Sequence, residues 1–208
     1  MADLTGYTGD YPPFEIRIKD ETKAPAYQRR RPLSLIEKQI QNEKCSELLA
    51  ANIIAECPEV RYACNPTCPG KKDADGNYTE RRLAFDFRDL NAITLTERTL
   101  LPRAEEIFES VGKCSFFCKI DFRNGFHQAL VAPQDQFKTG FWWGEKTFFY
   151  RRLPFGVTMG PSYFHKLISY ELQQAGVQES TKSFIDDVLV YNEDADQGID
   201  DVCTVLDR

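Results

Sequence analysis

At 208 residues the chain is long enough to bury a real core, as one domain or two small ones. It is 42% hydrophobic and 28% charged, with 26 basic against 32 acidic residues and a formal net charge of -6. That balance argues against a uniformly basic nucleic-acid binder, although local basic clusters in an acidic chain can still grip phosphate. No leader pattern follows Met1 and no apolar run is long enough to cross a bilayer, so neither secretion nor membrane insertion is expected. Seven scattered cysteines, an odd number, fit reduced thiols in a cytoplasmic or nuclear protein. Cys57, Cys64 and Cys68 lie close together, but their spacing matches no standard zinc pattern and no His is near.

Residues 1–32 carry Pro12-Pro13, Pro25 and Pro32 and read as an extended arm, with a short alternating strand at Phe14-Glu-Ile-Arg-Ile18. Ser34 and Glu37 make a capping-box pattern that opens a helix ending near Asn52. Asp75-Gly76 signals a hairpin with Lys71-Lys72 on one limb and Arg81-Arg82 on the other. Its bases are either a solvated surface or a tip that clamps a polyphosphate. Asp73, Asp75 and Asn77 do not complete an EF-hand, since Gly is at the fourth place and no Glu closes the loop. The segment Leu83–Leu90 begins as a strand and sets Asp86 and Arg88 among apolar residues, where a salt-bridged pair is the plain reading. Pro102 opens a helix whose apolar face includes Ile107 and Phe108.

Ser115–Phe122 alternates, with Phe116, Cys118, Ile120 and Phe122 on one face and Phe117, Lys119 and Asp121 on the other. Residues 129–150 hold a β-hairpin. Pro154–Pro161 is a loop, after which Phe164, Leu167, Ile168 and Leu172 form the buried stripe of a helix stopped by Gly176. Phe184-Ile185 and Val188-Leu189-Val190 read as two short buried strands around a tight turn carrying Asp186 and Asp187. A last amphipathic helix has Ile199, Val202, Cys203 and Leu206 as its stripe. The order implies an α+β fold with helices packed on one side of an antiparallel sheet. Two adjacent carboxylates at a strand tip repel each other, and hard oxygen ligands there suit Mg²⁺, but a solvated Asp-Asp turn is the ordinary reading of that stretch alone.

Four motifs in order shift that reading. Arg82–Asn91, Lys119–Gln128, Leu153–Phe164 and Phe184–Asp187 together resemble the successive motifs of a reverse transcriptase, and are similar above all to the polymerase of gypsy-like LTR retrotransposons. Pro133, Asp135, Lys138-Thr139 and Phe141 match the same family's stretch after the first catalytic acid. The resemblance implies the fingers and palm of a right-hand polymerase, with an arm over 1–32, fingers over 33–101 and palm over 102–208, interleaved in space. It implies Asp121, Asp186 and Asp187 as catalytic and metal-binding carboxylates, with Asp121 and Asp186 the main ligands of Mg²⁺ or Mn²⁺. It implies Lys71 or Lys72 with Arg82 as bases gripping a dNTP, and Asn124-Gly125 as backbone approaching its phosphates. Phe126 would be the aromatic that excludes a 2′-hydroxyl, Phe155 and Gly156 would line the nucleotide pocket, and Asp86 and Arg88 would position the template. His127 and His165 read as packing residues. The partners implied are an RNA or DNA template with its primer, and the thumb and ribonuclease H of a parent polyprotein, which these residues do not include.

The stretch Arg61–Gly70 departs from the family, being Pro-rich where an apolar strand is usual, which loosens the placing of Lys71 and Lys72. Two other readings compete: an inactive retrotransposon-derived fragment that at most binds nucleic acid, and a metal-dependent nuclease using the same acids. The second leaves the nucleotide-pocket motifs unexplained.

Overall fold

The computed structural model describes residues 6–23, 25–58, 61–72, 75–76, 78–97 and 111–207. The chain divides into two compact units, Met1–Thr96 with Phe126–Gly160, and Glu97–Gly125 with Pro161–Arg208.

The first unit starts with an arm that is tied down piece by piece. Phe14 and Ile18 make only isolated bridges, to Val131 and Thr94, so the expected strand over 14–18 does not form. Its backbone groups pair with two separate segments instead of one neighbouring strand: Phe14 N with Leu130 O in one, and Leu95 N with Arg17 O and Lys19 N with Ile93 O in the other. Helix α1 (Leu35–Ala50) carries the expected capping box, Ser34 and Glu37 each accepting the other's backbone N–H. Its inner face meets a three-stranded antiparallel sheet of β1 (Ile54–Cys57), β8 (Lys146–Tyr150) and β7 (Phe141–Trp143) in the order β1-β8-β7. There Gln41 donates to Trp142 O and Trp143 donates to Asn42.

The expected hairpin over 129–150 is therefore confined to Phe141–Tyr150, because residues 136–139 form a 3₁₀ turn. Phe141 is fully buried and packs on Phe85 and Tyr150. Two-stranded ladders pair β2 (Pro66–Thr67) with β5 (Ala84–Phe85) and β3 (Gly70–Lys72) with β4 (Tyr78–Arg81). The strand expected from Leu83 stops at Phe85, and α2 (Arg88–Ile93) follows. The four-residue helix α3 (Gly125–Gln128) comes next in the chain.

The second unit is built on an antiparallel sheet in the order β6-β10-β9, of β6 (Phe116–Asp121), β9 (Thr181–Phe184) and β10 (Asp187–Asn192). Alternation along β6 follows the sequence pattern, with Phe117, Lys119 and Asp121 outward. The strands at 181–192 are half-buried and alternate, not buried throughout as expected, because one face of the sheet is open. Helix α4 (Gly160–Gln174) buries Phe164, Leu167, Ile168 and Leu172 as its sequence stripe requires, and Gly176 takes φ +75 just past its end.

Ser183, which hydrogen-bonds α4, and Phe116, which packs on Gly198 of α5 (Ala195–Leu206), lie on the same face of the sheet by register. Both helices thus cover one face, giving the α+β layering. The orientation of α5 corrects the sequence expectation. Gly198 and Asp201 face inward, while Ile199, Cys203 and Leu206 are exposed. A Cβ on Gly198 would lie 2.3 Å from the Phe116 ring, so only glycine admits this close approach, and that approach turns the apolar stripe outward. The helix proposed after Pro102, with Ile107 and Phe108, lies outside the described residues. No helix among the described residues is long and apolar enough to cross a membrane.

Candidate active site

In the second unit strand pairing and the adjoining link place the three acids at one end of the sheet. Asp121 ends β6 and is the direct partner of Asp187, the first residue of β10. Directly opposed residues in an antiparallel pair have their side chains on one face, with Cα atoms about 5 Å apart. Asp186 sits beside them in the two-residue link between β9 and β10. The link holds Ile185 at φ +58. A β-branched residue is disfavoured there, by roughly 1–3 kcal/mol, and such strain collects at functional sites. Lys119, two residues before Asp121 on the same face, places Nζ 3.0 Å from Asp187 Oδ2. That hydrogen bond, then the charge of Asp187 and those of Asp121 and Asp186, hold the Lys119 ammonium pKa above its usual range. Among the described residues no group of three or more His, Cys, Asp or Glu side chains is placed to hold a metal ion by itself. Asp187 is held by Lys119 instead.

Behind the acids, His165 of α4 lies 3.2 Å from Ser183 Oγ, which lies 3.3 Å from Ser169 Oγ. This chain fixes β9 to the helix. Gly125 has a packing reason of its own, since a Cβ there would lie 2.9 Å from the Phe164 ring. Asn124 before it takes φ +52. Phe122 meets Phe164 edge-on at 6.1 Å.

The first unit holds the remaining sequence candidates. Phe126 is buried and stacks on exposed Phe155, ring centroids 4.9 Å apart and planes 27° apart. His127 meets Phe155 edge-on, stacks on Tyr150, and donates from Nδ1 to Leu153 O at 3.1 Å. Burial pushes the His127 pKa below its usual value. Gly156 takes φ +94, which explains glycine there. Its carbonyl accepts from Asn91 Nδ2 at 2.8 Å, while Asn91 Oδ1 accepts from Thr158 N at 2.9 Å. Asn91, given no role on sequence grounds, thus pins the Phe155-Gly156 loop to α2. Only the partnered geometry reveals this, since an Asn at a helix end reads as an ordinary surface residue.

Asp86 and Arg88 form a bidentate pair, at 2.7 and 2.6 Å, in which the guanidinium is 86% exposed. The Arg88 hydrogen bonds hold the Asp86 carboxyl below its usual range. Arg82 is exposed, its N–H bound to Pro69 O. Lys71 and Lys72 lie on β3, and their side chains fall outside the described set.

Comparison with known proteins places the chain in a polymerase family. Residues 70–208 match the family described as reverse transcriptase (RNA-dependent DNA polymerase), and the chain belongs to that family. It is similar to the Retrovirus-related Pol polyprotein from transposon gypsy of Drosophila melanogaster, 30% identical over 192 residues, which covers 91% of this chain and 18% of that polyprotein. The polyprotein from transposon 297 of the same organism is 28% identical over 169 residues, 81% of this chain and 16% of the relative. The chain thus spans less than a fifth of these relatives, at 18% and 16%. Prototype foamy virus protease-reverse transcriptase shares the fold, with a TM-score of 0.72 at 19% identity over 92% of this chain and 25% of that one. The α+β architecture is that of polymerase fingers and palm.

Proposed function

We propose that the chain is the fingers-and-palm portion of an RNA-directed DNA polymerase from a retrotransposon polyprotein, adding dNTP to a primer 3′-hydroxyl. The observation that carries this is the register of β6 against β10, which sets Asp121 opposite Asp187 with Asp186 in the adjoining strained link. The donors are hard carboxylate oxygens on an open sheet face, which suits Mg²⁺ or Mn²⁺ sharing its coordination with substrate phosphates and water. Asp121 and Asp186 would hold the ions, with Asp187 in support. Bound there, the two ions would lower the pKa of the primer hydroxyl and stabilise charge on the leaving pyrophosphate. In the transfer the primer 3′-oxygen bonds to the α-phosphorus, the bond to the pyrophosphate oxygen breaks, and the hydroxyl proton passes to solvent.

The first unit's residues have binding roles in this reading. Phe126, held by its stacking on Phe155, would be the aromatic that excludes a 2′-hydroxyl. Arg82, with Lys71 or Lys72, offers positive charge to the triphosphate. Asp86 and Arg88, preorganised as a pair, contact the template. Asn91 holds the Gly156 loop through hydrogen bonds to Gly156 O and from Thr158 N.

Primer extension on an RNA template with Mg²⁺ tests the reading. The folded chain is expected to extend the primer, and Asp186→Asn to lose at least about 100-fold of that rate, the scale of losing transition-state charge stabilisation. A folded wild-type chain that binds primer-template without extending it would instead support the inactive-fragment reading. Strand cleavage in Mg²⁺ without dNTP would support the nuclease.

A further inference from the structure

Lys119 is not required by the polymerase reading, yet it is ion-paired with one acid of the carboxylate group. It lies two residues before Asp121 on the outward face of β6, diagonal to Asp187 across the β6–β10 ladder. Its Nζ is 3.0 Å from Asp187 Oδ2, with both side chains open to solvent. Elsewhere such an exposed pair would carry little weight. Here, however, the ladder sets Asp121 opposite Asp187 with Asp186 next in the chain, and the ammonium that pairs with Asp187 also feels the charges of the other two.

We propose that Lys119 is a built-in counter-cation of the cluster that competes with a divalent metal ion for Asp187 and so weakens metal binding in the absence of nucleotide. The inference rests on the reading of the cluster as a metal site. With Lys119 present the group carries three negative charges and one positive. A divalent ion arriving there must share Asp187 with the ammonium and is repelled by it. Without Lys119 the same ion meets three uncompensated carboxylates that also repel one another. Nucleotide phosphates would later add negative charge and offset the ammonium, so metal would be held firmly only when substrate arrives with it.

The test is a titration of the 208-residue chain with Mn²⁺ alone, at fixed ionic strength and without nucleotide, followed by calorimetry and by the Mn²⁺ electron-spin signal. Lys119→Met is expected to lower the Mn²⁺ Kd by about five- to tenfold, the effect of removing a unit charge some 6 Å from a divalent ion in water-like surroundings. Lys119→Arg keeps the charge and is expected to keep the wild-type Kd. A melting temperature that rises more with Mn²⁺ in Lys119→Met than in wild type would report the same linkage. An unchanged or higher Kd in Lys119→Met would overturn the proposal, because a merely structural lysine changes stability equally with and without metal. If neither wild type nor variant binds Mn²⁺ saturably, it is the metal-site reading itself that fails. Asp121→Asn is expected to abolish binding in both backgrounds.

Discussion

The anchoring of the N-terminal arm gives a sharp energetic prediction. Asp135 and Lys138 form a buried ion pair at 2.7 Å, with side chains only 9% and 11% exposed. The pair closes on one residue of the arm: Ile16 N donates to Asp135 Oδ2 at 2.9 Å, and Lys138 Nζ donates to Ile16 O at 2.7 Å. Asp135→Asn keeps an acceptor for Ile16 N but leaves the ammonium uncompensated. Lys138→Met keeps the Ile16 N–H bond but leaves the carboxylate uncompensated. Each single change is expected to cost about 3–5 kcal/mol, the usual penalty of stranding a buried charge. The double variant has no stranded charge and loses chiefly the bond to Ile16 O, so it should cost about 1–3 kcal/mol. Urea unfolding of the four proteins measures the cycle, and hydrogen exchange at the Ile16 amide reports the arm directly. Since whole-protein stability is typically about 5–15 kcal/mol, the single variants should show a large loss. If the two single costs add to within about 0.5 kcal/mol in the double variant, the pair is not coupled and the clamp is wrongly described.

Phe126→Ala is expected to raise incorporation of ribonucleotides relative to deoxyribonucleotides by about tenfold or more, the scale of losing a steric exclusion. The same ratio measured in Phe155→Ala, which removes the stacking partner, should shift in the same direction by less. Unchanged discrimination in a folded Phe126→Ala protein would remove its role as a gate. Stability should also fall with acid. Burial lowers the pKa of both His127 and His165 in the folded chain. Below their unfolded value of about 6.5 the unfolded chain therefore binds more protons, so this contribution is full above that pH and is lost as pH falls toward the depressed folded values. Urea midpoints from pH 7.5 to 5 should decline, and the decline should be shallower in His127→Gln. An equal slope in that variant would show that its burial is not what makes the chain acid-sensitive.

Much of this protein could be read from local pattern. The capping box at Ser34 and Glu37, the alternation through Phe116–Asp121 and the stripe Phe164–Leu172 each depend on neighbours within a turn or a pleat, so residue order alone specifies them. The motifs containing the three acids were likewise legible, as was the α+β layering, since few arrangements bury those stripes. Tertiary structure decided the rest. The arm around Ile16 looked like a strand because its residues alternate, but its peptide groups find a buried ion pair and two separate segments. The stripe of α5 looked core-forming, but contact between Gly198 and Phe116 turns another face inward and leaves Ile199 and Leu206 in solvent. Lys119 and Asn91 stood inside recognised motifs without roles. A lysine becomes the counter-ion of a carboxylate 68 residues away only when β6 and β10 pair in one particular register, and an asparagine becomes a loop clamp only when that loop folds back over α2. Sequence sets what each residue can offer; the register of the strands sets which residue it meets.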